Sequence, residues 1–177
     1  WHGDAAMLRD VVRRAEATEL RTRRQWAWQL ALYDGRFDDL DAIVAQWAPE
    51  MFEVGSGFKI PRSAIAAYNA WLVGDRERAR SAAAETLRDL ERQMAGRKDA
   101  DQLAFFPAIM AALQRDAPAA RRWLDTEERY ARSINDAVRL KSASSSRMQV
   151  MLLLGERAAA LDLLEQTVRL SLRKREL

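Results

Sequence analysis

The chain has 177 residues, enough for one domain with a buried core that needs neither disulfides nor a structural metal. It contains no cysteine and one histidine, His2, beside the N-terminus. This composition argues against thiol chemistry, a Ser-His-Asp triad and a multi-histidine metal site. The 29 basic and 26 acidic residues are interspersed, whereas a nucleic-acid-binding surface needs basic residues clustered on one face. We predict no catalytic residue, no metal and no cofactor.

The longest nearly apolar run, AFFPAIMAAL from Ala104 to Leu113, has ten residues and includes a proline. A membrane-spanning helix needs about 20 apolar residues, so none is predicted. The chain begins with Trp1 rather than methionine, and we therefore expect it to be a fragment of a larger protein.

Taken in chain order, the sequence predicts about nine helices, arranged in pairs, and no strand. A partial repeat covers residues 1–18, and four repeats follow at about 21–48, 61–95, 100–139 and 143–174. The linker EMFEVGSGFKIP, Glu50 to Pro61, contains too much glycine and proline to be helical. Pro107 lies within the helix predicted for 100–114, which must therefore be kinked or begin late.

The repeats are defined by four matching turn positions, Gly35, Gly74, Arg115 and Gly155, which are 39, 41 and 40 residues apart. Glycine suits the end of a helix because it adopts a positive φ without strain. At Arg115 glycine is absent, and Asp116 and Pro118 are expected to cap and open the next helix instead.

The second helix of each pair is predicted to bury one face. Residues five and nine positions past each turn lie on the same side of a helix because they are four apart. The predicted seam comprises Leu40, Ala79, Ala120 and Ala160, then Val44, Ala83, Leu124 and Leu164.

The Gly-acid-x-x-x-Ala pattern in GDRERA and GERAAA resembles the tetratricopeptide-like (TPR-like) helical repeat. The resemblance implies an all-α single domain over residues 1–177, a right-handed superhelix of stacked antiparallel helix hairpins. The hairpins ALYDGRFDDL, GDRERARSAA and LLGERAAALDLLEQ look most like the C-terminal repeat region of bacterial CadC-type winged-helix regulators. MalT-like LuxR-type activators are the alternative. A CadC-type relationship implies a periplasmic location; otherwise the domain would be cytoplasmic.

In stacked hairpins of this family the first helices line a concave groove. The resemblance places these candidate groove residues there: Gln25, Gln29, Tyr68, Trp71, Phe105, Ile109 and Gln149. Aromatic and glutamine side chains suit an extended peptide or an amphipathic helix, so the predicted function is non-catalytic protein or peptide binding in a bacterial regulatory protein. The aromatic residues could equally fill the interior of a tight superhelix. A nucleic-acid-binding solenoid and an enzyme with a carboxylate site are the alternative functions.

Three further motifs have simpler structural explanations. The loop EVGSGFK lacks the remaining residues of a P-loop or a dinucleotide fingerprint, and an inter-repeat loop is favoured. Acidic residues that could be read as acid/base couples or a divalent-ion site are instead predicted to lie on solvated helix faces: Asp38, Asp39, Asp41, Glu127 and Glu128. The serines in KSASSSR, residues 141–147, are predicted to cap the start of a helix, a position that could also accept phosphorylation.

Overall fold

In a computed structural model, the structure describes residues 9–10, 20–46, 50–54, 58–97 and 100–173. These residues are almost entirely helical. Eight α-helices occur among them: α1 Leu20–Tyr33, α2 Leu40–Ala45, α3 Arg62–Leu72, α4 Arg76–Met94, α5 Phe105–Leu113, α6 Ala117–Ser133, α7 Ala137–Leu154 and α8 Arg157–Arg173. Within the same ranges, none has the length and apolar content of a membrane span. The partial repeat predicted at 1–18 lies outside the described residues, apart from the helical Arg9 and Asp10.

All four predicted turn positions lie between helices and have a positive φ. The angles are 67° at Gly35, 86° at Gly74, 67° at Arg115 and 88° at Gly155. At the third turn, Asp116 accepts a hydrogen bond from the Ala119 N–H at 2.9 Å, so the predicted cap is confirmed. The helix before it begins late, at Phe105, and therefore accommodates Pro107 in its first turn.

Backbone hydrogen bonds close the turns in the same way along the chain. In the Arg115 turn, Asp116 N–H donates to Ala111 C=O, and Arg115 N–H donates to Ala112 C=O. This pair of bonds is the Schellman motif, which satisfies carbonyl groups at a helix end. The turns at residues 35, 135 and 155 have equivalent bonds.

The predicted boundary between two repeats at residues 139–143 is wrong, because the helix that begins at Ala117 ends earlier and the next helix begins earlier. The first helix ends at Ser133 and the next begins at Ala137. Asn135 takes φ 51° between them, and Asp136 caps α7 by accepting from the Val138 and Arg139 N–H groups. The serine run therefore lies inside α7 and caps nothing; its hydroxyls donate to carbonyl groups four residues earlier, as Ser145 does to Lys141.

The prediction that the chain has no strand is also wrong. The linker over residues 50–61 is non-helical as expected, but it forms an antiparallel β-hairpin, β1 Glu50–Val54 and β2 Phe58–Pro61. Phe52 pairs with Ile60 and Val54 with Phe58, with an irregularity in register after Glu50. Alternating β-branched and aromatic residues on either side of the glycines favour pairing of the strands.

The chain divides into two compact units, Trp1–Ala82 and Ala83–Leu177, with the boundary inside α4. In the first unit, α2 packs against both α1 and α3, and β2 contacts α3. Val44 is buried at the centre of an apolar cluster formed with Trp28, Ile43 and Ile65. The small residues of α3, such as Ala67 and Ala70, are fully buried.

In the second unit, each helix of the series α5 to α8 packs against the next. Helix α7 also contacts α5, so it lies against both helices of the preceding hairpin. The predicted seam is buried at seven of its eight positions. The exception is Leu164 on α8, which is exposed.

Candidate binding surface

The candidate groove residues fall in both units, and each unit is considered separately. Gln29, Tyr68 and Trp71 belong to the first unit, and all three are half-buried. The side chain of Gln25 lies outside the described part of the structure. In the second unit, Phe105 and Gln149 are half-buried, whereas Ile109 is buried and does not line an open surface.

The first unit brings three aromatic side chains together, and we call Trp28, Tyr68 and Trp71 the aromatic cluster. Tyr68 and Trp71 are stacked, with ring centroids 6.1 Å apart and ring planes at 19°. Trp28 of α1 meets Tyr68 at 6.5 Å in a tilted arrangement. Such pairs are geometrically specific because of the quadrupoles of the rings. Tyr68 and Trp71 are three residues apart on α3, and they therefore lie on one side of this helix.

A cation completes the aromatic cluster. The guanidinium carbon of Arg76 lies 4.8 Å from the centroid of the Trp71 ring. Its Nη1 donates to the Trp71 carbonyl oxygen at 2.7 Å, and this bond holds the cation over the ring. Arg76 is the first residue of α4 and is exposed, so it presents positive charge beside the stacked rings.

A series of polar contacts from Trp28 through Asn69 and Asp41, which we call the polar chain, holds the indole of Trp28 in place. Its indole Nε1 donates to Asn69 Oδ1 at 3.0 Å, and Asn69 Nδ2 donates to Asp41 Oδ1 at 3.1 Å. Asp41 also pairs with Arg78. Asn69 is only 1 % exposed, so these bonds satisfy an amide that would otherwise be costly to bury. These polar contacts connect α1, α2, α3 and α4 within the first unit.

An open cleft of about 590 Å³ lies elsewhere in the first unit. Arg62 and Arg78 line it, together with Asp41 and mostly small or apolar residues. Arg78 is paired with Asp41, and Arg62 Nη1 donates to the Ala45 carbonyl oxygen at 3.4 Å. Because both cations already have protein partners, we assign no ligand to this cleft.

In the second unit, the candidate residues are less organised. Phe105 contacts Phe106, with centroids 5.5 Å apart and planes at 57°. Both rings belong to the first turn of α5. Gln149 lies on α7, where neighbouring Val150 is buried.

The most perturbed titratable groups in the second unit lie between α6 and α7. Burial raises the pKa of Glu127, although a hydrogen bond from Ser146 and the charges of Arg139 and Arg147 oppose the shift. Ser146 Oγ donates to Glu127 Oε1 at 3.1 Å, while Oε2 is buried without a hydrogen bond. The pKa of the neighbouring Glu128 is lowered, first by its hydrogen bond from Arg132 and then by Arg147.

Arg147 of α7 connects its own helix to acidic residues of α6. Its guanidinium donates to Asp125 Oδ1 at 2.9 Å and to Glu128 Oε2 at 3.0 Å. Burial lowers the pKa of Arg147, but the hydrogen bonds that it donates to these two carboxylates outweigh this effect and raise the pKa overall. The expectation of a solvated helix face is therefore corrected for the half-buried Asp41, Glu127 and Glu128, whereas Asp38 and Asp39 are exposed.

No group of three or more histidine, aspartate or glutamate side chains that could hold a metal occurs among the described residues. No family model matches the sequence, and no curated protein or solved structure is significantly similar to it. What the protein binds has to follow from its own geometry.

Three contributors to these sites were not predicted as such: Trp28, Arg76 and Glu127. Trp28 completes the aromatic cluster, Arg76 supplies its cation, and Glu127 is half-buried between helices. A local signal existed for Arg76, which lies five residues after Trp71 across a glycine turn. For Glu127 no local signal existed, because its contact with Ser146, nineteen residues later, depends on how α7 packs against α6.

Proposed function

We propose that this chain is a non-catalytic interaction domain that binds a peptide or protein segment at the aromatic cluster of its first unit. The observation that supports this most directly is the stacked pair Tyr68 and Trp71, partly exposed and held by Trp28 behind it. Large aromatic side chains and arginine dominate the energetics of protein interfaces. A cluster that is already ordered before binding loses little side-chain entropy in the complex.

The chemistry of the cluster indicates what it would bind. The stacked rings offer a flat apolar surface, and Arg76 places a cation at its edge. A ligand with a proline, leucine or aromatic side chain next to a carboxylate would satisfy both parts. An extended acidic peptide therefore suits this site better than a basic one.

The charges of the surface favour a protein ligand over nucleic acid. Several arginines already pair with carboxylates, as Arg121 does with Glu156 at 2.6 Å and Arg132 with Glu128 at 2.5 Å. Paired cations gain less from phosphate contacts because their counter-charges are already present.

The wider role rests on the resemblance to TPR-like repeats. Helix α7 lies against both helices of the preceding hairpin, and the four predicted turn positions are about 40 residues apart. Both features support a stack of hairpins that extends into a right-handed superhelix. By the same resemblance, the domain would be the sensing arm of a CadC-type or MalT-like bacterial regulator.

The proposal is tested by panning a random peptide library displayed on phage against the whole chain. Selected peptides are synthesised with a fluorophore, and their Kd is measured by fluorescence anisotropy. We expect Trp71→Ala to weaken binding about tenfold or more, because it removes half of the stacked pair. Arg76→Ala, at an exposed position, should weaken acidic peptides selectively without affecting folding.

The matched control is Tyr33→Ala, which removes an exposed tyrosine at the end of α1 outside the cluster. Its affinity should equal that of the unmodified chain. Equal binding by Trp71→Ala, or no enriched peptide, would overturn the proposal. Steeply salt-dependent binding of DNA or RNA would favour the nucleic-acid alternative instead.

A further inference from the structure

The last described helix, α8, exposes a row of apolar side chains. Leu161, Leu164 and Val168 are 63, 42 and 48 % exposed, and their spacing of three and four residues places them on one face. Ala160 is buried, and α8 packs against α7. Successive helix residues are about 100° apart, so the open face lies beside the face directed at α7. We call Leu161, Leu164 and Val168 the open face of α8.

The preceding hairpin shows how the equivalent face of α6 is covered. The turns at Arg115 and Gly155 are 40 residues apart, so Leu164 corresponds to Leu124 on α6, and Val168 corresponds to Glu128. Leu124 is only 2 % exposed. Glu128 and Asp125 both accept hydrogen bonds from Arg147 of α7. On α6, therefore, the positions equivalent to Leu164 and Val168 are covered by the first helix of the following hairpin, whereas Arg121, equivalent to Leu161, is exposed.

We propose that the open face of α8 binds an amphipathic helix of a partner protein, packed as α7 packs on α6. The established α6–α7 interface supports a helix in this position rather than a loop or a strand. The partner chemistry follows from what changes between the two faces. Asp125, Glu127 and Glu128 of α6 are replaced by Glu165, Thr167 and Val168, so two of three carboxylates become neutral.

The partner helix is therefore expected to differ from α7 at one position in particular. Where α7 presents Arg147 to Glu128, the partner should present an apolar side chain to Val168. Small or apolar residues should flank it, as Ala143 and Val150 do in α7, where both are buried.

A peptide with the α7 sequence, residues 137–154, tests this with two versions. Both carry a fluorophore, and one contains Arg147→Leu. The whole chain is titrated into each and anisotropy is recorded. We expect the Arg147→Leu peptide to bind several-fold more tightly, because leucine suits Val168, whereas the unmodified peptide places a cation there. Displacement of α7 from α6 would reverse this order, because leucine would remove the Arg147 contacts of Asp125 and Glu128.

Leu164→Asp in the whole chain should weaken binding about tenfold or more by placing a charge in the centre of the face. The matched control is Val138→Asp, the same type of change at a 76 % exposed residue of α7, and it should leave affinity unchanged. Both positions are exposed, so circular dichroism should show normal folding. Trp71→Ala should also bind the peptide normally, which separates this surface from the aromatic cluster.

Four results would overturn the proposal. They are the absence of peptide binding, equal binding by Leu164→Asp, the reversed order of the two peptides, and self-association. In the last case, sedimentation would show a dimer of the whole chain that Leu164→Asp dissociates, and the open face would belong to a second copy.

Discussion

Arg115 donates a hydrogen bond from Nη1 to the Leu154 carbonyl oxygen at 2.9 Å, and thereby joins its own turn to the end of α7. It does so from a left-handed backbone conformation, φ 67°, that glycine adopts at the other predicted turns. A Cβ added at Gly155 would lie 3.6 Å from the same nitrogen. The arginine thus accepts backbone strain at one turn and caps the helix end at the next.

Two substitutions separate these effects. Arg115→Gly removes the strain and the hydrogen bond together, each about 1 kcal/mol, so the free energy of unfolding should change little. Arg115→Ala keeps the strain and loses the bond, and should destabilise the chain by about 1 kcal/mol relative to Arg115→Gly. Urea unfolding measures the difference. Equal stability of the two variants would show that the backbone at residue 115 is not strained.

The turns illustrate what the sequence reveals about the fold. Gly35, Gly74 and Gly155 were predictable because a glycine before a new apolar period is a local signal for a helix end. The turn at Asn135 was missed because asparagine takes the glycine position there, followed by the capping Asp136. The serine run, predicted to cap a helix start, is compatible with a helix interior when its hydroxyls bond to backbone carbonyls.

The candidate binding residues were less predictable than the turns. Tyr68 and Trp71 share a face of α3 by spacing alone, and the structure stacks them. The contacts of Trp28 with Tyr68 and Asn69 span about 40 residues and depend on how α1 meets α3. No local pattern reports such a contact, because it is set by packing between hairpins rather than by helix periodicity.

Glu127 should make the stability of the chain fall as pH rises. Burial raises its pKa in the folded state above the usual value of 4.5, so the folded chain holds the proton more tightly than the unfolded chain. At pH values between the Glu127 pKa of the unfolded chain and the higher pKa of the folded chain, the folded state binds more protons. The free energy of unfolding therefore decreases as pH rises. Glu127→Gln should therefore stabilise the chain at neutral pH and have a smaller effect at about pH 3, where the unmodified residue is protonated.

Glu128 should have the opposite effect on how the free energy of unfolding depends on pH. Its pKa is lowered, mainly by the hydrogen bond from Arg132. It contributes stability above the ordinary pKa of a glutamate, and this is lost as pH falls through its lowered value. Glu128→Gln should destabilise the chain at neutral pH and converge with the unmodified protein in acid. Urea midpoints over a pH series test both variants, and two slopes of the same sign would contradict the assignment.

Asn69 should be the most sensitive polar residue of the first unit. Asn69→Ala leaves the Trp28 N–H without an acceptor and opens a void at a fully buried position. We expect a loss of about 2 kcal/mol in the free energy of unfolding. Asn69→Asp should be worse, because it places a carboxylate 3.1 Å from Asp41 instead of an amide donor. Thermal unfolding ranks the two variants, and a milder effect for Asn69→Asp would show that the polar chain is not as described.

Adjacent serines in α7 should respond in opposite directions to the same substitution. Ser145 is exposed and donates to the Lys141 carbonyl oxygen of its own helix, so Ser145→Ala should stabilise the helix by about 0.5 kcal/mol. Ser146 is buried and donates to Glu127 Oε1, and Ser146→Ala would leave that carboxylate without its hydrogen bond. This variant should lose about 1 to 2 kcal/mol, because the unpaired group stays buried and outweighs the gain in helix propensity. Urea unfolding of the two variants at neutral pH decides the point. A gain in stability from both would mean that Ser146 contributes nothing to holding Glu127 between α6 and α7.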